Sequence, residues 1–143
     1  MAKVRKSIEV AAPVHEVFRL WSDFESFPGF MESVQEVERT SDRTTHWKVE
    51  APLGRFVEWD AETTAYEENR RIAWRATGDV GTSGEVRFEG IGDGRTRIEV
   101  DMEYHPPGGR LGEVAARIFE NPEKSVEEDL RRFKDLAEGR EVV

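Results

Sequence analysis

The feature that most constrains this chain is a series of six segments between residues 34 and 104 in which apolar and charged side chains alternate. A period of two places alternate side chains on opposite faces of a β-strand, so each segment is predicted to be a strand with one buried face. The predicted strands are Val34–Thr40, Thr44–Glu50, Arg55–Tyr66, Arg71–Thr77, Gly84–Gly90 and Arg95–Tyr104. Short turns separate them, and Asp93-Gly94 is a hairpin signal, so we expect an antiparallel meander.

The apolar set of these strands contains large side chains. It comprises Trp47, Val49, Val57, Trp59, Ala61, Ile72, Trp74, Val86, Phe88, Ile98, Val100, Met102 and Tyr104. The opposite set is mostly charged, as with Glu58 and Asp60, for which Arg75 and Arg87 are the expected cross-strand partners. A sheet with one apolar face needs a second layer to cover it.

Residues before the meander predict one more strand and two short helices. Val4, Ile8 and Val10 alternate with polar residues, which favours a strand. Pro13 suits the first turn of a helix, and Asp23 is placed to cap a second helix that ends near Phe27. These elements extend the fold at its N-terminal side.

The end of the chain returns to helical spacing. Apolar residues recur every three or four positions from Leu111 to Phe119 and again through Val126–Ala137, with a break or kink expected at Pro122. Ser125 and Glu128 have the spacing of a capping box. This long helix is the one large apolar partner available to the sheet. We therefore predict a single α+β domain over residues 1–143, a helix-grip fold in which about seven curved antiparallel strands wrap around the C-terminal helix.

The segment 17–31, VFRLWSDFESFPGFM, resembles the signature of the polyketide cyclase/dehydrase family of the START-like superfamily. In that signature a Trp-x-Asp stretch is followed by Pro and then by an aromatic-Met pair. Further segments resemble the family in the same order: THW at 45–47, GRFVEWDA at 54–61, IAWR at 72–75, GEVRF at 84–88 and EDLRRFK at 128–134. The resemblance covers nearly the whole chain.

This resemblance implies a cavity between the sheet and the long helix. The superfamily includes polyketide aromatase/cyclases, coenzyme Q-binding START proteins, plant hormone receptors and pollen-allergen carriers, and one fold serves many functions. The expected function is to carry or sequester a small hydrophobic ligand such as a lipid, an isoprenoid quinone or a polyketide. Two alternatives remain open: a polyketide cyclase/dehydratase, and a cavity-poor interaction or stress-related protein whose aromatic residues fill the interior.

Candidate ligand contacts follow from the inward set and from the short-helix segment. They are Trp47, Trp59, Trp74, Phe88, Met102, Tyr104, Phe27, Phe30, Met31, Val114 and Ile118. Large aromatic rings either stack against a ligand or fill the core, and the sequence leaves both interpretations open. For an enzyme, Tyr104 and His105 are the candidate catalytic residues, because they lie where the last strand meets the long helix.

Composition excludes several classes of function. The formal net charge of −9 repels phosphate backbones and anionic lipid surfaces, so we expect neither nucleic-acid binding nor electrostatic docking on a membrane. No apolar run approaches the roughly 20 residues that a membrane span requires, so we expect no stable membrane insertion. The chain has no Cys, and His15 and His46 are expected at the surface, so no metal or cofactor is predicted. Glycine-rich stretches at 78–84 and 108–112 are expected to be turns. A charged N-terminus favours a cytoplasmic protein; the oligomeric state is not fixed by the sequence.

Overall fold

A computed structural model describes residues 2–32, 34–51, 54–78, 80–105 and 122–139. The elements, in chain order, are β1 (Ala2–Val10), α1 (Val14–Ser22), a 3₁₀ helix (Phe24–Gly29), β2 (Val34–Arg39), β3 (Thr44–Ala51), β4 (Arg55–Glu67), β5 (Arg71–Ala76), β6 (Gly81–Gly92), β7 (Arg95–His105) and α2 (Pro122–Ala137). The predicted order of strands and helices is confirmed.

The seven strands form one antiparallel sheet in the order β1-β7-β6-β5-β4-β3-β2. Consecutive strands from β2 to β7 are neighbours, as expected of a meander. β1 joins the far side by pairing with β7, so that Val4 lies opposite Met102 and Ile8 opposite Ile98. The curled sheet and the C-terminal helix confirm the predicted helix-grip architecture.

The turn between β6 and β7 has the expected hairpin geometry. Asp93 has a φ of 41° and Gly94 a φ of 71°. A two-residue hairpin turn of the type favoured by strand twist requires positive φ at both central residues, and Asp-Gly tolerates it. Gly92 and Arg95 pair on either side of the turn, which fixes the register of the last two strands.

The core lies between the concave face of the sheet and the two helices. Phe133 of α2 is completely buried, and its ring lies 4.8 Å from that of Trp21 and 5.3 Å from that of Phe30. Leu130 is also buried against this cluster. Edge-to-face packing of this kind is favourable beyond the area it buries, so α1 and α2 are held together over the sheet.

Two strands differ from the predicted pattern. β4 carries an irregularity between Thr63 and Ala65, where the pairing with β5 shifts by one residue. β6 begins at Gly81 rather than Gly84, so the turn predicted for the stretch 78–84 is wrong from Gly81 onward. A Cβ at Gly84 would lie 2.3 Å from the carbonyl oxygen of Asp101. The glycine therefore permits the close approach of β6 and β7. Composition alone does not distinguish such a glycine from one in a turn.

Both predicted side-chain caps are wrong. Asp23 makes no side-chain cap, and the 3₁₀ helix continues through Pro28 to Gly29. Ser125 lies inside α2, which already includes Pro122, so Ser125 and Glu128 do not form a capping box at its start. Favourable ion pairs between residues four apart do form on this helix: Glu127 lies 3.9 Å from Arg131, and Glu128 lies 3.6 Å from Arg132.

Charges on the outer face pair differently from the prediction. Glu58 and Asp60 contact His46 on β3 at 2.9 and 2.8 Å, instead of Arg75 and Arg87. Arg75 pairs with Glu62 at 3.6 Å, and Arg87 pairs with Glu85 and Glu99. His46 with Asp60, Arg75 with Glu62, and Arg87 with Glu99 are direct cross-strand partners, so the register of the sheet decides much of the pairing.

Neither helix in the described part of the chain has the length and apolar character needed to cross a membrane.

Candidate functional site

A cavity of about 130 Å³ lies between the concave face of the sheet, the 3₁₀ helix and α2. Its walls are mostly apolar. All four tryptophans of the chain line it, namely Trp21, Trp47, Trp59 and Trp74. The interior is therefore not solid, unlike the interior expected of a cavity-poor interaction protein.

Neighbouring strands build the aromatic wall. Trp47 on β3 and Trp59 on β4 are direct partners in the sheet, and their rings lie 6.1 Å apart and nearly parallel, at 4°. The ring of Phe27, on the 3₁₀ helix, lies 5.6 Å from that of Trp47. A period of two on each strand brings these side chains to the same face.

Threonine hydroxyls fix the orientation of two of these indoles. Trp47 Nε1 donates to Thr45 Oγ1 at 2.9 Å, and Trp74 Nε1 donates to Thr82 Oγ1 at 3.0 Å. Both threonines also line the cavity. Because these indole donors are satisfied within the protein, the rings present mainly apolar faces to the enclosed space.

Asp129 of α2 introduces a carboxyl group into this apolar cavity. Arg132 Nη1 donates to Asp129 Oδ1 at 2.9 Å, and the backbone amide of Glu32 also donates to the carboxylate. Burial raises the pKa of Asp129 to about 7, although Arg132 and the Glu32 amide act in the opposite direction. The charge of this carboxyl group therefore changes near neutral pH.

Tyr104 is the second polar group of the cavity that titrates. Burial, with a smaller effect from the negative charge of Asp129, raises the pKa of its hydroxyl above the ordinary value. The hydroxyl consequently keeps its proton at neutral pH and can donate a hydrogen bond. Asp129 and Tyr104 together place a proton-exchanging group and a fixed donor in one apolar space.

Seven of the predicted ligand contacts lie in the wall of the cavity. They are Phe27, Met31, Trp47, Trp59, Trp74, Met102 and Tyr104. Phe30 and Phe88 instead pack in the core: the ring of Phe88 lies 5.2 Å from Phe18, and that of Phe30 lies 5.3 Å from Phe133. Val114, Ile118 and the side chain of His105 lie outside the described residues.

Sequence reasoning missed Asp129 and the aromatic residues Trp21 and Phe24. A signal for Asp129 was present, because it lies three residues after Val126 and four before Phe133, within the apolar stripe of α2. A single acid inside such a stripe faces the interior. The prediction considered only the apolar members of the stripe and therefore overlooked it.

Comparisons with known proteins agree with this architecture. Residues 1–138 match the model of the family described as polyketide cyclase/dehydrase and lipid transport. A 17.2 kDa protein of Streptomyces lincolnensis, encoded in the melC2–rnhH intergenic region, is 36% identical over 147 residues, covering 98% of this chain and 92% of the relative.

Two solved structures show the same fold. The DR_A0006 protein of Deinococcus radiodurans superposes with a TM-score of 0.77 at 33% identity, covering 96% of this chain and 98% of its own. The Zhui aromatase/cyclase from Streptomyces sp. R1128 superposes with a TM-score of 0.76 at 20% identity, covering 96% and 93%. At that identity the second similarity concerns the fold alone.

Proposed function

Because this chain belongs to the polyketide cyclase/dehydrase and lipid transport family, we propose that it binds a small hydrophobic molecule in the cavity between its sheet and α2. The observation that carries the proposal is the apolar cavity walled by four tryptophans. Ligand sites in proteins are typically apolar hollows with a few polar groups that orient the ligand. Asp129 and Tyr104 are those groups here.

The volume of the cavity narrows the class of ligand. About 130 Å³ is similar to an engineered apolar cavity of about 150 Å³ that accepts benzene. One aromatic ring, or a short alkyl segment, fits such a space. Among lipids, isoprenoid quinones and polyketides, the proposal is therefore that a ring or chain end is enclosed, with the remainder outside the cavity.

Titration with the neutral probe 4-phenylbutan-1-ol tests this proposal. The indole N–H signals of the four tryptophans are followed in ¹H–¹⁵N NMR spectra, and those of Trp59 and Trp74 are expected to shift. Met102→Trp fills the cavity and is expected to weaken binding at least about tenfold, since a filled pocket offers no space to bury the ring. Met102→Leu, similar in volume, is the matched control and is expected to bind as the wild type does.

Two results would contradict the proposal. One is a titration in which the probe shifts no indole signal. The other is equal affinity of the wild type and a folded Met102→Trp variant, since the probe would then be binding elsewhere. Native mass spectrometry of freshly purified protein adds an independent readout, because a bound ligand raises the measured mass.

Asp129 favours a second candidate function, a polyketide cyclase or dehydratase. A group whose pKa lies near the working pH exchanges protons efficiently in both directions, and the pKa of Asp129 is about 7. In this function the carboxylate removes a proton from carbon next to a carbonyl group, and Tyr104 donates a hydrogen bond to the carbonyl oxygen. The proton then passes from Asp129 to the departing hydroxyl group, which leaves as water.

Asp129→Asn separates this candidate from simple binding. With a short β-hydroxythioester as substrate, the variant is expected to lose turnover by at least about a hundredfold, the contribution typical of general acid–base catalysis. It should still bind 4-phenylbutan-1-ol, because the cavity keeps its shape. Unchanged turnover in both Asp129→Asn and Tyr104→Phe would exclude these residues from the chemistry.

A further inference from the structure

A polar groove lies next to the apolar cavity. Its volume is about 460 Å³, and it is lined by Phe24, Arg39, Asp42, Arg43 and residues 63–66. Phe24 and Thr63 also line the cavity, so the same two side chains separate the two spaces. A molecule that reached past them would contact both environments.

The two arginines of the groove differ from most other arginines of the sheet, which form ion pairs. Arg71, for example, pairs with Glu85 at 2.8 Å. Within the described residues, the guanidinium groups of Arg39 and Arg43 make no ion pair. Asp42 is the one acid of the groove, so the groove carries a net charge of about +1 on a chain whose net charge is −9. An unneutralised arginine pair is suited to an anion.

Local contacts hold both arginines at the groove. The guanidinium carbon of Arg39 lies 5.6 Å from the centre of the Phe24 ring, and the Arg39 amide donates to Glu25 Oε2 at 3.1 Å. The carbonyl oxygen of Arg43 accepts a hydrogen bond of 2.6 Å from the amide of Thr63, beside the irregularity of β4. The guanidinium group of Arg39 and the backbone of Arg43 are therefore held beside the two residues that border the cavity.

We propose that the groove binds the anionic head, a carboxylate or a phosphate monoester, of an amphiphile whose apolar end passes Phe24 and Thr63 into the cavity. This inference rests on the proposed binding function and adds the chemical class of the ligand. Arginine recognises both kinds of head through paired hydrogen bonds. The hydroxyl groups of Thr63 and Thr64 supply further hydrogen-bonding capacity at the same place.

Three probes that share one apolar end test the inference. They are 4-phenylbutan-1-ol, 4-phenylbutanoate and 4-phenylbutyl phosphate. The wild type is expected to bind at least one of the anions about tenfold more tightly than the alcohol, since hydrogen bonds to charged groups contribute at this scale. The anion that binds more tightly, the carboxylate or the phosphate, identifies the head group that the groove prefers. Only the anions should shift the backbone amide signals of Arg39, Arg43 and Thr64, and their advantage should shrink as salt is added.

Three variants test whether the preference for anions arises in the groove. The double substitution Arg39→Gln/Arg43→Gln is expected to abolish the preference for anions while leaving the affinity for the alcohol unchanged. Arg5→Gln is the matched control. Arg5 lies on β1, at the opposite edge of the sheet from β2, and pairs with Asp101 on β7. Its loss should leave the preference for anions intact. Asp42→Asn removes the one acid of the groove and should strengthen anion binding.

The outcomes separate this inference from the proposed function. If the alcohol binds in the cavity and neither anion binds more tightly, the charged groove is rejected and the apolar site remains. A preference for anions that survives the double substitution also rejects the groove. If none of the three probes binds, the proposed function itself fails.

Discussion

The carboxylate of Glu138, at the C-terminal end of α2, accepts a hydrogen bond of 2.7 Å from the backbone amide of Ala11, between β1 and α1. Lys134 joins the same contact, because its Nζ donates to Glu138 Oε2 at 2.6 Å and to the carbonyl oxygen of Glu9 at 3.0 Å. The Glu138 side chain is only 4% exposed. This contact attaches the end of the helix that covers the cavity to the segment that follows β1.

Glu138→Ala is expected to lower the free energy of unfolding by about 1–3 kcal/mol, because it removes the charged acceptor that the Ala11 amide and the Lys134 ammonium group share. Urea unfolding followed by circular dichroism measures the change. Glu127→Ala is the control, since Glu127 is more than half exposed and its ion pairs contribute little. Equal stability of the two variants would show that the contact does not hold the helix.

Gly81 packs against the indole of Trp59. A Cβ at this position would lie 2.6 Å from Trp59 Cδ1, and the glycine has a φ of 128°. Gly81→Ala should therefore destabilise the fold by about 1–3 kcal/mol through backbone strain and should displace a wall of the cavity. Gly78→Ala is the matched control, because nothing lies within 4 Å of its added Cβ. Similar midpoints of urea unfolding for both variants would contradict the close contact.

The raised pKa of Asp129 predicts a pH-dependent stability. Burial raises it from 3.8 to about 7, so between these values the folded chain binds more protons than the unfolded chain. The free energy of unfolding therefore falls as pH rises through this window, by at most about 1.4 kcal/mol per pH unit, and levels off above it.

Asp129→Asn should flatten this dependence. Urea unfolding at a series of values from about pH 5 to about pH 8 tests it, with the exposed Asp42→Asn as control. If the difference in stability between wild type and Asp129→Asn stays constant across the series, Asp129 does not titrate in this range.

His46 is expected to titrate above its ordinary pKa of 6.5. Hydrogen bonds to Glu58 and then Asp60 raise the pKa, because both carboxylates favour the protonated ring. The resulting stability is fully present below about pH 6.5 and is lost as pH rises through the folded pKa. The pair is exposed, so the effect should stay below about 1 kcal/mol.

Proton NMR of the His46 ring measures this pKa directly. His46→Gln should bring acidic and basic stabilities closer together, whereas the exposed His15→Gln provides the comparison. A pKa at or below 6.5 for His46 in the wild type would rule out the two-carboxylate contact in solution.

Alternation along the strands made most of the sheet predictable. Trp47 and Trp59 lie on the expected face because a strict period of two leaves only one face for the apolar set. The pattern cannot reveal where two strands approach closely, so it predicts a turn over 78–84 and a strand from Gly84, although β6 already begins at Gly81. Glycine serves both situations, and only the neighbouring strand distinguishes them.

Side-chain partners were less predictable than elements. Glu58 and Asp60 were assigned to arginines, but pairing in the sheet places His46 opposite Asp60. Which charges meet depends on register, and register depends on the whole sheet. Asp129 was visible in principle from helical spacing. Phe30 and Phe88 could not be placed from the sequence in the same way. Inward-facing rings either pack in the core or border a cavity, and the neighbouring side chains decide between the two.

The pairing of β1 with β7 has a consequence for how the chain is made. Arg5 and Asp101 hydrogen-bond although they are 96 residues apart in sequence. At about 5–20 residues per second, a nascent β1 leaves the ribosome several seconds before its partner exists. Val4 and Val10, buried in the finished sheet, lack the cover that β7 supplies throughout that interval. The pairing that adds β1 to the sheet thus forms only after β7, the last strand of the meander, has been made.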